Sequence, residues 1–284
     1  MKLAIVTDST CDLTAEELAK LQVEAVPLYV SFRGETHRDW IDITPGVLIE
    51  GVAAGADLPT TSQPSPQDFS EAYARAVAGG ADTILCITIS SEISGTYQSA
   101  TIAKESAGVP VTVFDGRHAS LGHGEMVRTA ARMRDAGASL EDILGAIETI
   151  RDTNMLVFTV GTMEFLQKGG RVGRAQAFVG SLLSIKPLLT LEDGKVAPLT
   201  RARGLKKAQQ EMVDRVKAYV EASPGPVVLN LIHVQDPSAA DGLRQAIDAA
   251  GVTYRFGGVH ELGAVIAAHV GPHTFGYYVH LATD

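Results

Sequence analysis

The chain has 284 residues, 45% of them hydrophobic and 20% charged, an ordinary globular composition for about two domains that excludes wholesale disorder. Its 24 Lys and Arg against 33 Asp and Glu give a net charge of −9, the wrong sign for a surface that attracts nucleic acid or anionic membrane as a whole. Cys11 and Cys86 stand far apart with no CxxC, which excludes a disulfide framework and familiar zinc spacings and makes a reducing cytoplasm the expected compartment.

In chain order, short β-branched runs alternate with helical patterns. Strands are expected at 3–7 (LAIVT), 26–32 (VPLYVSF), 83–89 (TILCITI), 111–115 (VTVFD) and 155–160 (MLVFTV). Helices are expected near 14–21, 66–78, 94–107, 119–136 and 139–152. Two of their starts are legible: Thr14 with Glu17 forms a capping box, and Ser65-Pro66-Gln67-Asp68 offers an N-cap, a proline at the first helical position and an acid in the first turn. From about 161 the texture changes. A Gly/Arg-rich turn at 169–174 precedes KPLLTLEDGKVAPLT, in which Asp193-Gly194 between apolar runs predicts a hairpin. A helix near 204–222, a strand at 227–234, a helix near 238–249 and strands around 253–259 and 274–281 follow. The fold class expected is two-domain α/β: an N-terminal domain, 1–158, with a largely parallel sheet and flanking helices, and a C-terminal α/β domain, 159–284, with an antiparallel or mixed sheet.

The apolar stretches TILCITI and SLLSIKPLLTL (181–191) are too short or too interrupted for a membrane span, and the N-terminus lacks a signal-peptide core. Integral membrane association is therefore not expected. Hydroxyl and acidic residues cluster after the strands: Asp8-Ser9-Thr10, Ser90-Ser91, Ser94-Gly95-Thr96 and Asp115. In open α/β sheets ligands bind beyond the carboxyl ends of the strands, so the clusters point to an anion or polar head group; the same residues read equally as helix caps and turns. Thr60-Thr61-Ser62-Gln63-Pro64-Ser65-Pro66 is a second hydroxyl cluster, stiffened by two prolines. His269 and His273 flank Val270-Gly271-Pro272, which rules out the shared helical face of a metal-binding histidine pair. Lys168-Gly169-Gly170-Arg171-Val172-Gly173-Arg174 is not a phosphate loop, because the GxxxxGK[ST] order is absent. Arg171 and Arg174, with Arg201, Arg203, Lys206 and Lys207, instead make a candidate partner surface, and read equally as an ordinary solvated face. No GxSxG, GxGxxG or HExxH occurs.

Taken in order, VTDSTCDLT, VPLYVSF, PTTSQPSP, ISSEISGTYQSA, VFDGRHASLGHG, FLQKGGRVGRAQA, KPLLTLEDGKVAPLTRARG and HVGPHTFGYYV closely resemble the DegV family over essentially the whole chain. These are bacterial fatty-acid-binding proteins that serve as the lipid-carrying subunit of fatty acid kinase. The resemblance implies two α/β domains with one long-chain fatty acid buried between and within them. Its carboxylate would be exposed to a separate ATP-using kinase subunit, and the acyl phosphate passed to phospholipid synthesis. Thr61 and Ser94 would hold the carboxylate, and His269 would lie near it. His273 stands where the family has a glycine. No catalytic residue, metal or further cofactor is implied, and no nucleic-acid partner.

Two other readings compete. An independent hydrolase or phosphotransferase would use Ser94 as nucleophile and His269 as base. A ligand-responsive DNA regulator has no helix-turn-helix signature or basic domain behind it.

Overall fold

The computed structural model describes residues 2–180 and 185–283; residues 181–184 of the SLLSI segment lie outside the described residues. In chain order the elements are β1 (Leu3–Asp8), α1 (Ala15–Lys20), β2 (Val23–Val26), β3 (Tyr29–Phe32), β4 (Glu35–Arg38), α2 (Pro45–Ala53), β5 (Thr60–Ser62), α3 (Pro66–Ala78), β6 (Thr83–Thr88), α4 (Thr96–Ala103), β7 (Val111–Asp115), α5 (Leu121–Asp135) and α6 (Leu140–Thr153). They continue with β8 (Met155–Thr159), α7 (Glu164–Lys168), β9 (Ile185–Glu192), β10 (Lys195–Arg203), α8 (Leu205–Ala222), β11 (Val227–His233), α9 (Pro237–Ala249), β12 (Arg255–Glu261), α10 (Ala264–Val270) and β13 (Phe275–Leu281).

The chain forms two compact units. The first comprises residues 1–44 and 59–152, the second residues 45–58 and 153–284. This differs from two contiguous halves meeting at 158/159: α2 interrupts the first unit in sequence, and β8 joins the sheet of the second. The run 155–160 reads as one more buried strand of the first half, but its partners are β13 and β9, both antiparallel. A continuous apolar run specifies a buried strand without specifying which sheet buries it.

In the first unit β2-β1-β6-β7 form an all-parallel sheet. Alternation along the strands supplies two apolar faces. Leu3, Ile5, Leu85 and Ile87 pack with Met126, Val127 and Ala130 of α5 and Ile143, Ile147 and Ile150 of α6. Val6, Ile84 and Cys86 pack with Phe69, Ala72 and Tyr73 of α3 and Ala100 and Ala103 of α4. Both faces are covered, as a parallel sheet requires. The α3 start carries the reciprocal capping box, Ser65 accepting from Asp68 N and the Asp68 carboxylate from Ser65 N.

The run 26–32 is two strands rather than one. Pro27 has no N–H to continue the ladder, so β2 ends at Val26 and the chain re-forms as β3 in a small antiparallel sheet, β4-β3-β5. That sheet turns at Arg33-Gly34, with φ of 53° and 82°, the two left-handed residues of a type I′ hairpin. Asp193-Gly194 does the same, at 50° and 76°, between β9 and β10. The second unit's sheet is mixed, ordered β10-β9-β8-β13-β11-β12, with β11 and β12 parallel and the other pairs antiparallel. One of its faces packs Val157, Leu188, Leu229, Tyr277 and Val279 against Met212 and Val216 of α8 and Leu243 and Ile247 of α9.

Candidate functional site

Several of the polar clusters after the first-unit strands are consumed by the fold. Asp8 Oδ1 accepts from Thr10 N at 3.0 Å and from the Thr10 hydroxyl, and its Oδ2 accepts from Ile89 N at 2.8 Å. Ser9 Oγ donates to Asp39 at 2.8 Å and accepts from Leu28 N at 3.0 Å. Asp115 accepts from Ser91 N, Ser91 Oγ and Arg117 N at 3.1, 2.5 and 3.0 Å. Carboxylates so fully engaged, Asp8 buried and Asp115 half-buried, are caps and strand ties rather than ligand groups.

Thr61 is the central residue of β5, paired with Val30 and half-buried. Ser94 lies in the turn ahead of α4, where its Oγ is 2.8 Å from Thr96 Oγ1, and Gly95 is the N-cap. The two segments meet through Gln63, two residues beyond Thr61. Its amide lies on Gly95 where a Cβ would sit, and Nε2 reaches Ser99 Oγ at 3.5 Å. Gly95 has φ −78°, a conformation any residue adopts, so its requirement is space. Hydroxyls beside the first turn of a helix, with the positive end of its dipole, suit a carboxylate. An open groove of about 450 Å³ lies beside this corner, lined in part by Tyr29, Ser62, Ser65, Asp68 and Ser99.

In the second unit His269 is in the last turn of α10. The glycine-rich loop after α7 fits around it: a Cβ on Gly169 would collide with the imidazole. Arg171 Nη1 donates to Gly169 O at 2.8 Å, folding the arginine back on the same loop. Burial, reinforced by the Arg171 charge, pushes the His269 pKa down to about 4. The ring is therefore neutral near pH 7, able to donate from one nitrogen and accept at the other. Next to it, Gly271 (φ 73°) packs on the Phe165 ring. His273 has φ 57° with its imidazole 3.6 Å from Asp236. A left-handed residue explains why glycine suits this turn, and the chain adopts the turn with histidine in place.

The four arginines of the expected basic face are not equivalent. Arg174 is paired with Glu192 at 2.8 Å and Asp193 at 3.0 Å. Arg171 serves the His269 loop. Arg201 and Arg203 are both exposed on β10, two apart and therefore on one face, with Ala202 buried between them. The Arg201 guanidinium stacks 4.3 Å from the Phe178 ring centroid and donates to Ala177 O.

Nucleophilic chemistry finds little support among the described residues. The neighbour of the Ser94 hydroxyl is another hydroxyl, not a base. Both cysteines are buried, and burial pushes the Cys86 thiol up to about 12 and the Cys11 thiol well above its ordinary value. No group of three or more His, Cys, Asp or Glu among the described residues is placed to hold a metal ion. No described helix is long and apolar enough to cross a membrane.

Residues 2–281 match the sequence profile of the DegV family. A DegV domain-containing protein of Deinococcus radiodurans is 42% identical over 276 residues, covering 97% of each chain. A fatty-acid-binding DegV family protein of Thermus thermophilus has a structure with TM-score 0.94 and 43% identity, covering 99% of this chain and all of its own. A stearic-acid-binding protein of Eubacterium ventriosum gives 0.89 at 27% identity, covering 98% of this chain and 97% of its own. With profile, identity and fold agreeing from one end to the other, the chain belongs to the DegV family.

Proposed function

We propose that this protein carries one long-chain fatty acid and presents its carboxylate to a separate ATP-dependent kinase subunit, which forms the acyl phosphate used in phospholipid synthesis. The observation that carries the lipid-binding part is the full-length similarity to structures of fatty-acid-binding relatives, together with the resemblance of the TSQPS and SGTYQSA segments that Gln63 brings into contact. The kinase step rests on the family resemblance.

The energetics divide the labour. Burying an acyl chain gains about 0.8 kcal/mol per CH₂, so roughly sixteen carbons gross on the order of 12 kcal/mol before ordering costs. Hydrogen bonds to a charged carboxylate are worth roughly 1.5–3 kcal/mol each. Retention then belongs to the chain, while Thr61, Ser94 and His269 place the head group. A neutral His269 would donate to a carboxylate oxygen without neutralising it.

Mass spectrometry of lipid co-purifying from bacteria tests the carrier role, with about one fatty acid per protein expected; an empty protein that also fails to take up palmitate or oleate overturns it. Ser94→Ala and Thr61→Ala should keep lipid, weakened by about 1–2 kcal/mol. Acyl-phosphate formation with the kinase subunit should fall on the order of a hundredfold, because a carboxylate displaced by about an ångström misses the transfer geometry. Wild-type phosphorylation in Ser94→Ala contradicts this division.

A further inference from the structure

Gln63 is the one polar side chain described above that touches both hydroxyl-bearing segments without belonging to the carboxylate set. We infer that Gln63 is a positioning residue for the head-group site: its amide, wedged on Gly95 and reaching Ser99, fixes the separation between the Thr61 strand and the Ser94 turn. The inference rests on the carboxylate reading proposed above and adds to it the element that sets the site's dimensions.

Three observations converge. The strand β5 is only three residues long, and its ladder to β3 does nothing to locate it against α4. The bonds of Ser94 to Thr96 and to Ser90 O stay on its own side of the corner. The Gln63 amide spans the first turn of α4 from Gly95 to Ser99, and the flat contact with Gly95 exists only because that residue has no Cβ. Pro64, which follows, is buried and holds the chain that carries the amide. A carboxylate bound between two hydroxyls is sensitive to their spacing, since hydrogen bonds weaken steeply once distance or angle departs from optimum. The acyl chain is indifferent to it.

The test uses the full-length protein loaded with palmitate carrying ¹³C at C1, read by NMR. Gln63→Ala should retain palmitate by mass spectrometry and melt within a few degrees of wild type. Its carboxyl resonance should move toward that of Thr61→Ala, and the bound carboxyl should titrate about 1 pH unit higher, because hydrogen bonds that favour the anion are lost. Gly95→Ala, which displaces the amide by occupying its place, should reproduce the shift. The double variant should show no more than either alone, the signature of two residues acting through one contact.

An unchanged resonance and titration in Gln63→Ala, or additive effects in the double variant, overturn the role of Gln63. A wild-type protein that holds no palmitate overturns the carrier reading itself, and with it the inference. The two failures are therefore distinct.

Discussion

Gly169 lies flat against the imidazole of His269, so closely that any Cβ there would strike the ring. Its φ of −72° is open to every residue, which makes the requirement one of volume and not of backbone freedom. The glycine of the KGGR segment is thus tied to a histidine one hundred residues later. Replacing it with alanine should cost roughly 1–3 kcal/mol by overpacking. The part due to the ring should disappear in a Gly169→Ala/His269→Ala double variant, read by urea denaturation, while the approach of the Cβ to Phe165 O at 2.9 Å remains; fully additive losses would show that the ring is not what the glycine accommodates.

A second expectation concerns acid. His118 is buried, with its ring 3.1 Å from Arg151 O, and desolvation is the main cause lowering it to about 4, as it is for His269. In the unfolded chain both titrate near 6.5. The folded state then binds fewer protons than the unfolded state between those values. The stability is fully present above pH 6.5 and is lost as pH falls toward 4, by about 2 kcal/mol per histidine at pH 5. His233, also lowered by burial, adds in the same direction. Denaturation at pH 7.5 and 5.0 should show the loss, and His118→Asn should remove only the share of His118, leaving that of His269; equal stability at the two pH values would refute the assignment.

Arg128 joins α1 to α5 by bonding Glu17 at 2.6 Å and Glu125, with 18% of its side chain exposed. Removing the cation leaves two adjacent carboxylates with little water to replace it. Arg128→Met should cost about 2 kcal/mol, below the full effect of breaking a buried pair because some solvent reaches the site. The exposed Arg38–Asp42 pair makes the internal comparison, and Arg38→Ala should leave the melting temperature within error. Equal melting temperatures for the two variants would contradict the difference in burial.

The basic face yields a contrast inside one segment. Arg174 already has two acidic partners on the hairpin, whereas Arg201 and Arg203 face outward together. If this face meets the kinase subunit, charge reversal at Arg201 and Arg203 should slow association and reduce its salt dependence. Reversal at Arg174 should chiefly loosen the hairpin. Stopped-flow association rates for the three variants decide it, and an unchanged rate in the Arg201/Arg203 pair would leave these residues a solvated surface.

What the sequence determined by itself is local. The β-branched runs at 3–7, 83–89 and 111–115, the Ser65–Asp68 capping box and the Asp193-Gly194 turn depend on neighbours a few residues away, and each forms where the pattern places it. The motifs that carry the family resemblance were legible for the same reason. Pro27 was visible too, but its effect, sending one apolar run into two sheets, depends on which ladder needs the missing N–H. Tertiary structure alone decided that β8 belongs with β13 and β9, that 45–58 joins the second unit, and that Asp8 and Asp115 are used up as ties. It also supplied Gln63 over Gly95 and Gly169 under His269. Contacts between residues dozens of positions apart are selected by packing volume and by the need to satisfy every buried polar group. Neither quantity can be computed from residue order until the chain has folded around it.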